Sequence, residues 1–388
     1  MNVLGIIFSY AEKDNLRELT KIRTLASLPI GGKYRMIDFI LSNFVNSNIF
    51  DVSIITKNNY HSLIDHVGSG KEWDLTRKIG GLRVLTPFAS PDVKGNGIYN
   101  SRVEALSYNM NSIKRSRAEY VIMTGCSTIY NIDFEELLRF HVERRADITA
   151  VYTNNSQDPS LLAYDAPFYY VNESGRIEDV RLFSEENGRR TDAYRSANEK
   201  NGPMNKSCGL GIFVIRKSLL DSLIADAMAY GRFDFYRDIL QRLAGSLNIQ
   251  GYEYQKYFMG IDSISSYMRA NLKLLDVEIR SKVFENVVYT KVKDSVPAEY
   301  VSGCVVKNSI ISDGCRIEGT IENCVLSRGV KIAKDSIVRN SVIMQNTTIM
   351  ENVNLNYVIL DKDVIVRENR KLSGQETFPV VIEKATIV

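Results

Sequence analysis

The residues best suited to chemistry fall in one run, Leu28-Pro29-Ile30-Gly31-Gly32-Lys33-Tyr34-Arg35-Met36-Ile37-Asp38-Phe39-Ile40-Leu41-Ser42-Asn43. Two glycines beside Lys33 and Arg35, just ahead of an amphipathic stretch, place cations and backbone N–H groups at a helix mouth, a combination suited to a phosphorylated effector. The competing reading is that Arg35 pairs with a nearby carboxylate such as Asp38 and fixes the loop, and the residues alone leave both open. Lys21 and Arg23 are weaker candidates for the same effector. Asp234 could hold magnesium, because one or two carboxylates plus substrate phosphates can suffice. Without a partner carboxylate it reads better as a helix-start residue. Cys126 has no histidine near it in sequence and reads as an inert thiol, and His61 and His66, five apart, read as structural.

These residues must be held by a sheet and its covering helices. Short apolar runs at Val3 to Phe8, Val52 to Thr56, Leu82 to Leu85, Tyr120 to Thr124 and Ile148 to Tyr152 read as strands. Between them, Tyr34 to Asn46 places Ile37, Ile40, Leu41 and Phe44 on one helical face, and Ser101 to Arg117 and Phe134 to Arg145 also read as helices. Alternation of this kind predicts an α/β domain with a mostly parallel sheet. Ligands of such sheets sit beyond the carboxyl ends of the strands, so the loops after Phe8 and Thr124 are where chemistry is expected.

The texture changes after a helical stretch from Ser263 to Leu275. Asn308, Asn323, Asn340 and Asn356, each starting a short run that ends in two aliphatics, recur every 15 to 17 residues, and Ile317, Ile332, Ile349 and Ile365 follow nine positions later. The spacing predicts a parallel β-helix. Hexapeptide acyltransferases share that pattern but rely on a histidine base, and all three histidines (His61, His66, His141) lie outside the repeat. A chain of 388 residues with 49 basic and 46 acidic side chains carries no electrostatic footprint for nucleic acid or a membrane surface. Five cysteines without CxxC spacing argue against a disulfide framework or a zinc site and point to a reducing cytosol, so a cytoplasmic location is expected.

The opening run resembles the "PFGGKYRIIDFxLSN" signature of the ADP-glucose pyrophosphorylases, the glucose-1-phosphate adenylyltransferases of glycogen and starch synthesis. The likeness runs nearly end to end. Ile55 to His66 resembles "LTQYxxxSLxxHI", Asp234 to Leu240 resembles "DFGKDIIP", and Ser263 to Asn271 resembles "TIDSYWEANMDLL". It implies a nucleotidyltransferase-type Rossmann-like domain over residues 1–275, a linker over 276–300 and a left-handed parallel β-helix over 301–388.

The resemblance breaks where that family does its chemistry. Its glycine-rich phosphate loop would be replaced by Ile7, Phe8 and Tyr10, whose side chains fill the space glycines leave for phosphate. The lysine and proline of "AKPAVPFGG" become Leu25 and Ala26, and "GTADAV" reads Ser101-Arg102-Val103-Glu104-Ala105-Leu106. Ser127 stands where the metal-binding aspartate of "GDHIY" belongs, and Phe183 near the lysine of "FxEKP". Asp234 matches the second metal carboxylate. The pattern most resembles the GlgD-type regulatory subunits of the family. It implies a catalytically impaired chain with no cofactor of its own, joined in a heterotetramer to a homologous catalytic subunit that carries magnesium, and tuned by a sugar-phosphate or nucleotide effector. The alternatives are an active nucleotidyltransferase with an atypical site around Asp234, and a stand-alone sensor.

Overall fold

Six consecutive buried residues, Val3–Phe8, form β1, and a run apolar on both faces suits the centre of a parallel sheet. In this computed structural model, which describes residues 2–11, 15–87, 99–154, 166–182 and 206–388, β1 is flanked in parallel by β2 (Asp51–Ile55) and β4 (Tyr120–Gly125), and β3 (Gly81–Leu85) continues beyond β2. Further along come β5 (Thr128–Tyr130), β6 (Ile148–Thr153), β7 (Phe168–Val171), β8 (Ile177–Arg181), β9 (Lys206–Arg216), β10 (Ile249–Glu253) and β11 (Phe258–Gly260). The main sheet runs β10-β6-β9-β4-β1-β2-β3, with β9 antiparallel to its neighbours and the β7–β8 hairpin attached to its first residues. The strands expected from sequence coincide with the observed ones to within one residue at either end.

Seven α-helices are described: α1 (Met36–Asn46), α2 (His61–Val67), α3 (Arg102–Arg115), α4 (Phe134–Glu143), α5 (Lys217–Ala229), α6 (Ile264–Lys273) and α7 (Val277–Val283). Helix α1 starts two residues later than its periodicity suggests, because Tyr34–Arg35 pairs with Pro29–Ile30 as a small hairpin. The carboxylate of Asp38 then accepts the backbone N–H of Arg35 at 2.9 Å and closes the helix start. Alternation along the strands divides the core. Ile7, Val52, Ile54 and Ile122 pack with α1 and α4, while Leu4, Ile6, Phe8 and Met123 pack with α3 and α5. Gly5 permits the close approach of α1, since a Cβ there would lie 2.7 Å from the Phe44 ring, itself stacked on Phe134 at 4.4 Å.

From Glu299 the chain coils into three five-stranded parallel sheets, the three walls of a left-handed parallel β-helix. Asn308, Asn323 and Asn340 occupy left-handed conformations at one corner, where asparagine is better tolerated than other side-chain-bearing residues. Their amides form a ladder, Asn308 to Asn323 to Asn340 to Asn356. The fourth repeat is offset from the sequence reading by one residue. Asn356 pairs with Arg339, so Tyr357 takes the left-handed corner, and Val366 rather than Ile365 stacks on Ile349. The segment between the domains is partly helical, through α7, and then without regular secondary structure up to Glu299.

The two domains share a core rather than a hinge. Val342, Met344 and Ile359 of the β-helix belong to the cluster that contains α1 and the start of the Leu28 run. Gly32 lies against the β-helix, where a Cβ would meet Ser312 Oγ at 2.6 Å, and its φ of +83° favours glycine as well. Gly31 N–H donates to Asn271 Oδ1 on α6 at 3.0 Å, and Tyr267 OH donates to the Pro29 carbonyl at 2.7 Å. Beneath this loop Arg23 Nη2 and Asp361 Oδ2 form a buried ion pair at 2.8 Å that joins the domains. Replacing Asp361 by Asn strands a buried guanidinium and is expected to cost about 3 to 5 kcal/mol in thermal or denaturant unfolding, with much of the loss recovered by Arg23→Met combined with Asp361→Leu. An Asp361→Asn protein as stable as the parent would contradict the latch.

Candidate functional site

Among the described residues, two regions correspond to the sites expected from sequence. One is at the carboxyl ends of β1 and β4, and the other lies between the domains.

At the first, β1 delivers Phe8 into an aromatic cluster. Phe8 meets Tyr10 edge-on at 6.2 Å, and Tyr10 leans on Tyr99 at 6.0 Å. Ile7 does not join them, because alternation turns it into the core on the opposite face. Leu25 and Ala26 are buried beside the loop. The guanidinium of Arg102, from the first turn of α3, lies 5.3 Å from the Phe8 and Tyr236 ring centres, and its Nη1 donates to Tyr236 OH at 3.0 Å. Between the described residues this leaves a gap of about 30 Å³, lined by Arg102, Gly125, Ser127 and Tyr236 among others, and one of about 180 Å³ beside Tyr10, Leu25 and Lys57, both below the roughly 300 to 1,000 Å³ usual for a small-molecule site.

The donors here do not fit magnesium. Ser127 brings a neutral hydroxyl. The Asp234 carboxylate accepts the N–H groups of Tyr236 and Arg237 at 2.9 and 3.0 Å, as the N-cap of Phe235–Gln241. Arg102 brings a fixed positive charge in their place. Among the described residues no group of three His, Cys, Asp or Glu side chains is arranged to hold a metal ion. Cys126 donates its thiol to the Phe8 carbonyl at 3.1 Å, and burial pushes its pKa far up, so it is not a nucleophile. Phe183 lies outside the described residues.

The second crevice has a volume of about 660 Å³. Lys33 and Arg35 enter it from the hairpin before α1, Lys291 and Lys293 from the connection, and Arg328, Lys362 and Lys384 from the β-helix; Asp65 is the single carboxylate in its lining. The backbone donors near the glycines do not serve it as the helix-mouth reading supposes, since Gly31 N–H is taken by Asn271 and Arg35 N–H by Asp38. Arg35 does not pair its guanidinium with Asp38 either; Nη1 donates to the Ser62 carbonyl at 2.5 Å and to Ser62 Oγ at 3.0 Å. Asp38 instead meets His66 Nε2 at 2.5 Å, and burial lowers the His66 pKa although Asp38 opposes it. His61 lines the cleft and stacks on Tyr60.

Of the four effector candidates, Lys33 and Arg35 line this cleft. Arg23 is committed to Asp361, and Lys21 pairs with Glu383 at 2.8 Å on the surface. Sequence reasoning missed Arg328, Lys362 and Lys384, which lie some three hundred residues from Lys33 and appear in the repeat as ordinary turn cations. Two of them stand out physically. Arg328 Nε is buried without an acceptor among the described residues. Burial, then Arg35 and Arg23, push the Lys362 ammonium down to about 7 against the opposing pull of Asp361, with Lys384 adding to the fall.

Together the sheet topology and solenoid define a nucleotidyltransferase-type domain joined to a hexapeptide β-helix. Residues 5–276 match the nucleotidyl transferase family and residues 290–376 the GlmU-like C-terminal hexapeptide family. The chain is 31% identical over 387 residues to the glycogen biosynthesis protein GlgD of Bacillus subtilis (strain 168), covering 99% of this chain and 96% of that one. It is 35% identical over 341 residues to GlgD of Geobacillus stearothermophilus, covering 87% and 82% of the two chains. It is also 28% identical over 376 residues to the glucose-1-phosphate adenylyltransferase of Fervidobacterium nodosum, covering 96% and 85%. The chain belongs to the glucose-1-phosphate adenylyltransferase, or ADP-glucose pyrophosphorylase, family. No described helix is long and apolar enough to cross a membrane.

If Asp234 serves its helix rather than a metal, Asp234→Ala should lower stability by about 1 kcal/mol, and millimolar magnesium should leave the melting temperature of either protein unchanged. A magnesium-induced rise in the parent that the variant loses would assign Asp234 to a metal.

Proposed function

We propose that this chain is a regulatory, catalytically impaired subunit of the ADP-glucose-forming adenylyltransferase of glycogen synthesis, acting on a homologous catalytic subunit. The observation that carries the reading is the contrast between the crevices. The mouth of the sheet is packed with Phe8, Tyr10 and the Arg102 guanidinium, whereas the cleft between the domains is open and strongly cationic. Joining glucose 1-phosphate to the α-phosphorus of ATP needs charge neutralisation around an in-line displacement. Each lost electrostatic donor commonly lowers such a rate by about 10² to 10³. Here the phosphate loop and metal carboxylate positions have both changed, so the chain needs no cofactor itself and magnesium chemistry falls to the partner.

An effector bearing phosphate, a sugar phosphate or a nucleotide, suits the cleft. Because Lys33 and Arg35 come from one domain and Lys362 and Arg328 from the other, it would bias their packing and, through a subunit interface, the partner. A heterotetramer is the assembly expected from the family. Its contacts are best served by the first β-helix coil, whose strands at Glu299–Tyr300, Val305–Lys307 and Ile310–Ile311 are edges of their sheets, with Tyr300, Val305 and Val306 exposed. Such edges are templates for a further strand; at the opposite end only the Ile365–Val366 wall is continued by the chain's final residues, as in the Val388 N–H to Ile365 carbonyl bond, while Lys371–Ser373 and Val380–Ile382 are edges as well.

The test is ADP-glucose formation by the purified chain alone and mixed with a catalytic homologue. Alone, turnover should fall at least about 10³-fold below the homologue's, and Ser127→Asp should not restore it. Mixed, it should shift the partner's effector or substrate affinity about 5- to 150-fold. Turnover alone near the partner's rate would establish an active enzyme, and a mixture equal to the partner by itself would favour a stand-alone sensor.

A further inference from the structure

Lys362 holds an unusual place in the cleft. Its closest carboxylate in sequence, Asp361, is already bound to Arg23 and also accepts the Lys362 backbone N–H at 2.6 Å. Among the described residues, the half-buried Lys362 Nζ has neither a hydrogen-bond acceptor nor an ion-pair partner. The groups around it are mostly cations. Arg23 and Arg35 face it from the loop before α1, and Lys384 faces it from the last turn of the β-helix. Lys384 is itself only loosely paired, 4.0 Å from Asp363. Across the cleft, α2 contributes His61, Asp65 and His66, the connection contributes Lys291 and Lys293, and the neighbouring coil contributes Arg328. Lys291 is anchored to the Asp65 carbonyl, and His66 to Asp38. Against these cations the set offers one carboxylate, Asp65, and the pull of Asp361, which is already paired with Arg23.

We infer that an anion entering the cleft binds together with one proton, taken from solvent onto Lys362 Nζ, so that the site reads pH and anion concentration jointly. The inference rests on the effector reading of the cleft and adds a rule for it. In the empty cleft the neutral amine relieves repulsion from Arg35, Arg23 and Lys384. An arriving phosphate-like group reverses the local field, favours the ammonium and gains a charge-assisted hydrogen bond from it. The sign follows. The empty-site Lys362 pKa lies near 7, well under the usual lysine value, and a bound anion raises it. Binding therefore takes up protons between the two values, and affinity falls as pH rises through that window. His66, lowered from its ordinary value, titrates on the acid side and leaves the alkaline limb to Lys362.

Inorganic sulfate is the suitable probe, because it stays a dianion across the range and any pH dependence comes from the protein. Calorimetric titration of the full chain with sulfate, from pH 6.5 to 9 in pairs of buffers with different ionisation enthalpies, measures affinity and protons together. The expected result is uptake approaching one proton per sulfate near pH 8 and an affinity that falls up to about tenfold per pH unit above neutrality. Lys362→Arg, cationic throughout, should bind with no slope and no uptake; Lys362→Gln, neutral throughout, should bind weakly and equally flatly. Saturable binding with a flat profile in the parent, or an unchanged slope in Lys362→Arg, overturns the proton linkage and leaves the effector cleft standing. Absence of saturable binding at every pH overturns both.

Discussion

The loop from Lys21 to Arg35 is fixed by the β-helix, and the rest of the molecule's functional geometry depends on that contact. Arg23 and Asp361 form an ion pair buried from water, and such a pair is tolerated only while both charges stay matched. Gly32 touches the Ser312 coil so closely that no side chain fits, and the apolar core continues from α1 into Val342, Met344 and Ile359. Together these contacts hold Lys33 and Arg35 opposite Lys362, Arg328 and Lys384. Cations brought together in this way repel one another, by about 1 kcal/mol for two charges 4 Å apart in water and more when solvent is excluded. The shared apolar core supplies the opposing free energy, the ion pair fixes the register of the two domains, and a ligand of negative charge would relieve the remainder.

The sheet mouth follows a different logic. A phosphate cradle needs bare backbone and a metal needs free carboxylates. This chain offers an aromatic cluster, a serine and an aspartate that caps its own helix. Arg102 completes the change by stacking between Phe8 and Tyr236. Four parts of one reaction centre are thus altered while the scaffold beneath them keeps its register.

Much of this was readable from the sequence because it rests on short-range rules. Continuous apolar runs mark parallel strands, and the Asn recurrence marks the β-helix corners. The fourth repeat was misjudged because the coil keeps the 17-residue length of the one before it, which puts Tyr357 in the corner, while Asn356 one position earlier still completes the amide ladder. The phosphate-loop and metal positions were visible as exchanges of residue type. What could not be read are the choices made in three dimensions. Gly31 and Gly32 looked like phosphate binders, yet they serve α6 and the β-helix. Arg23 looked like a free cation, but its partner lies 338 residues away. Arg102 gave no signal beyond a lost motif, and the β-helix half of the cleft is invisible until the coils are stacked.

The central claim is that this chain's ligand capacity has passed from the sheet mouth to the cleft between the domains. Amide hydrogen exchange on the intact chain, with and without a sugar phosphate and then with magnesium and ATP, addresses it directly. The account predicts protection in peptides spanning 31–36, 61–67, 289–294 and 360–364 with the sugar phosphate, and no magnesium-dependent protection at 125–130 or 234–241. Magnesium-dependent protection at 125–130 and 234–241, with the cleft peptides unchanged, would contradict it.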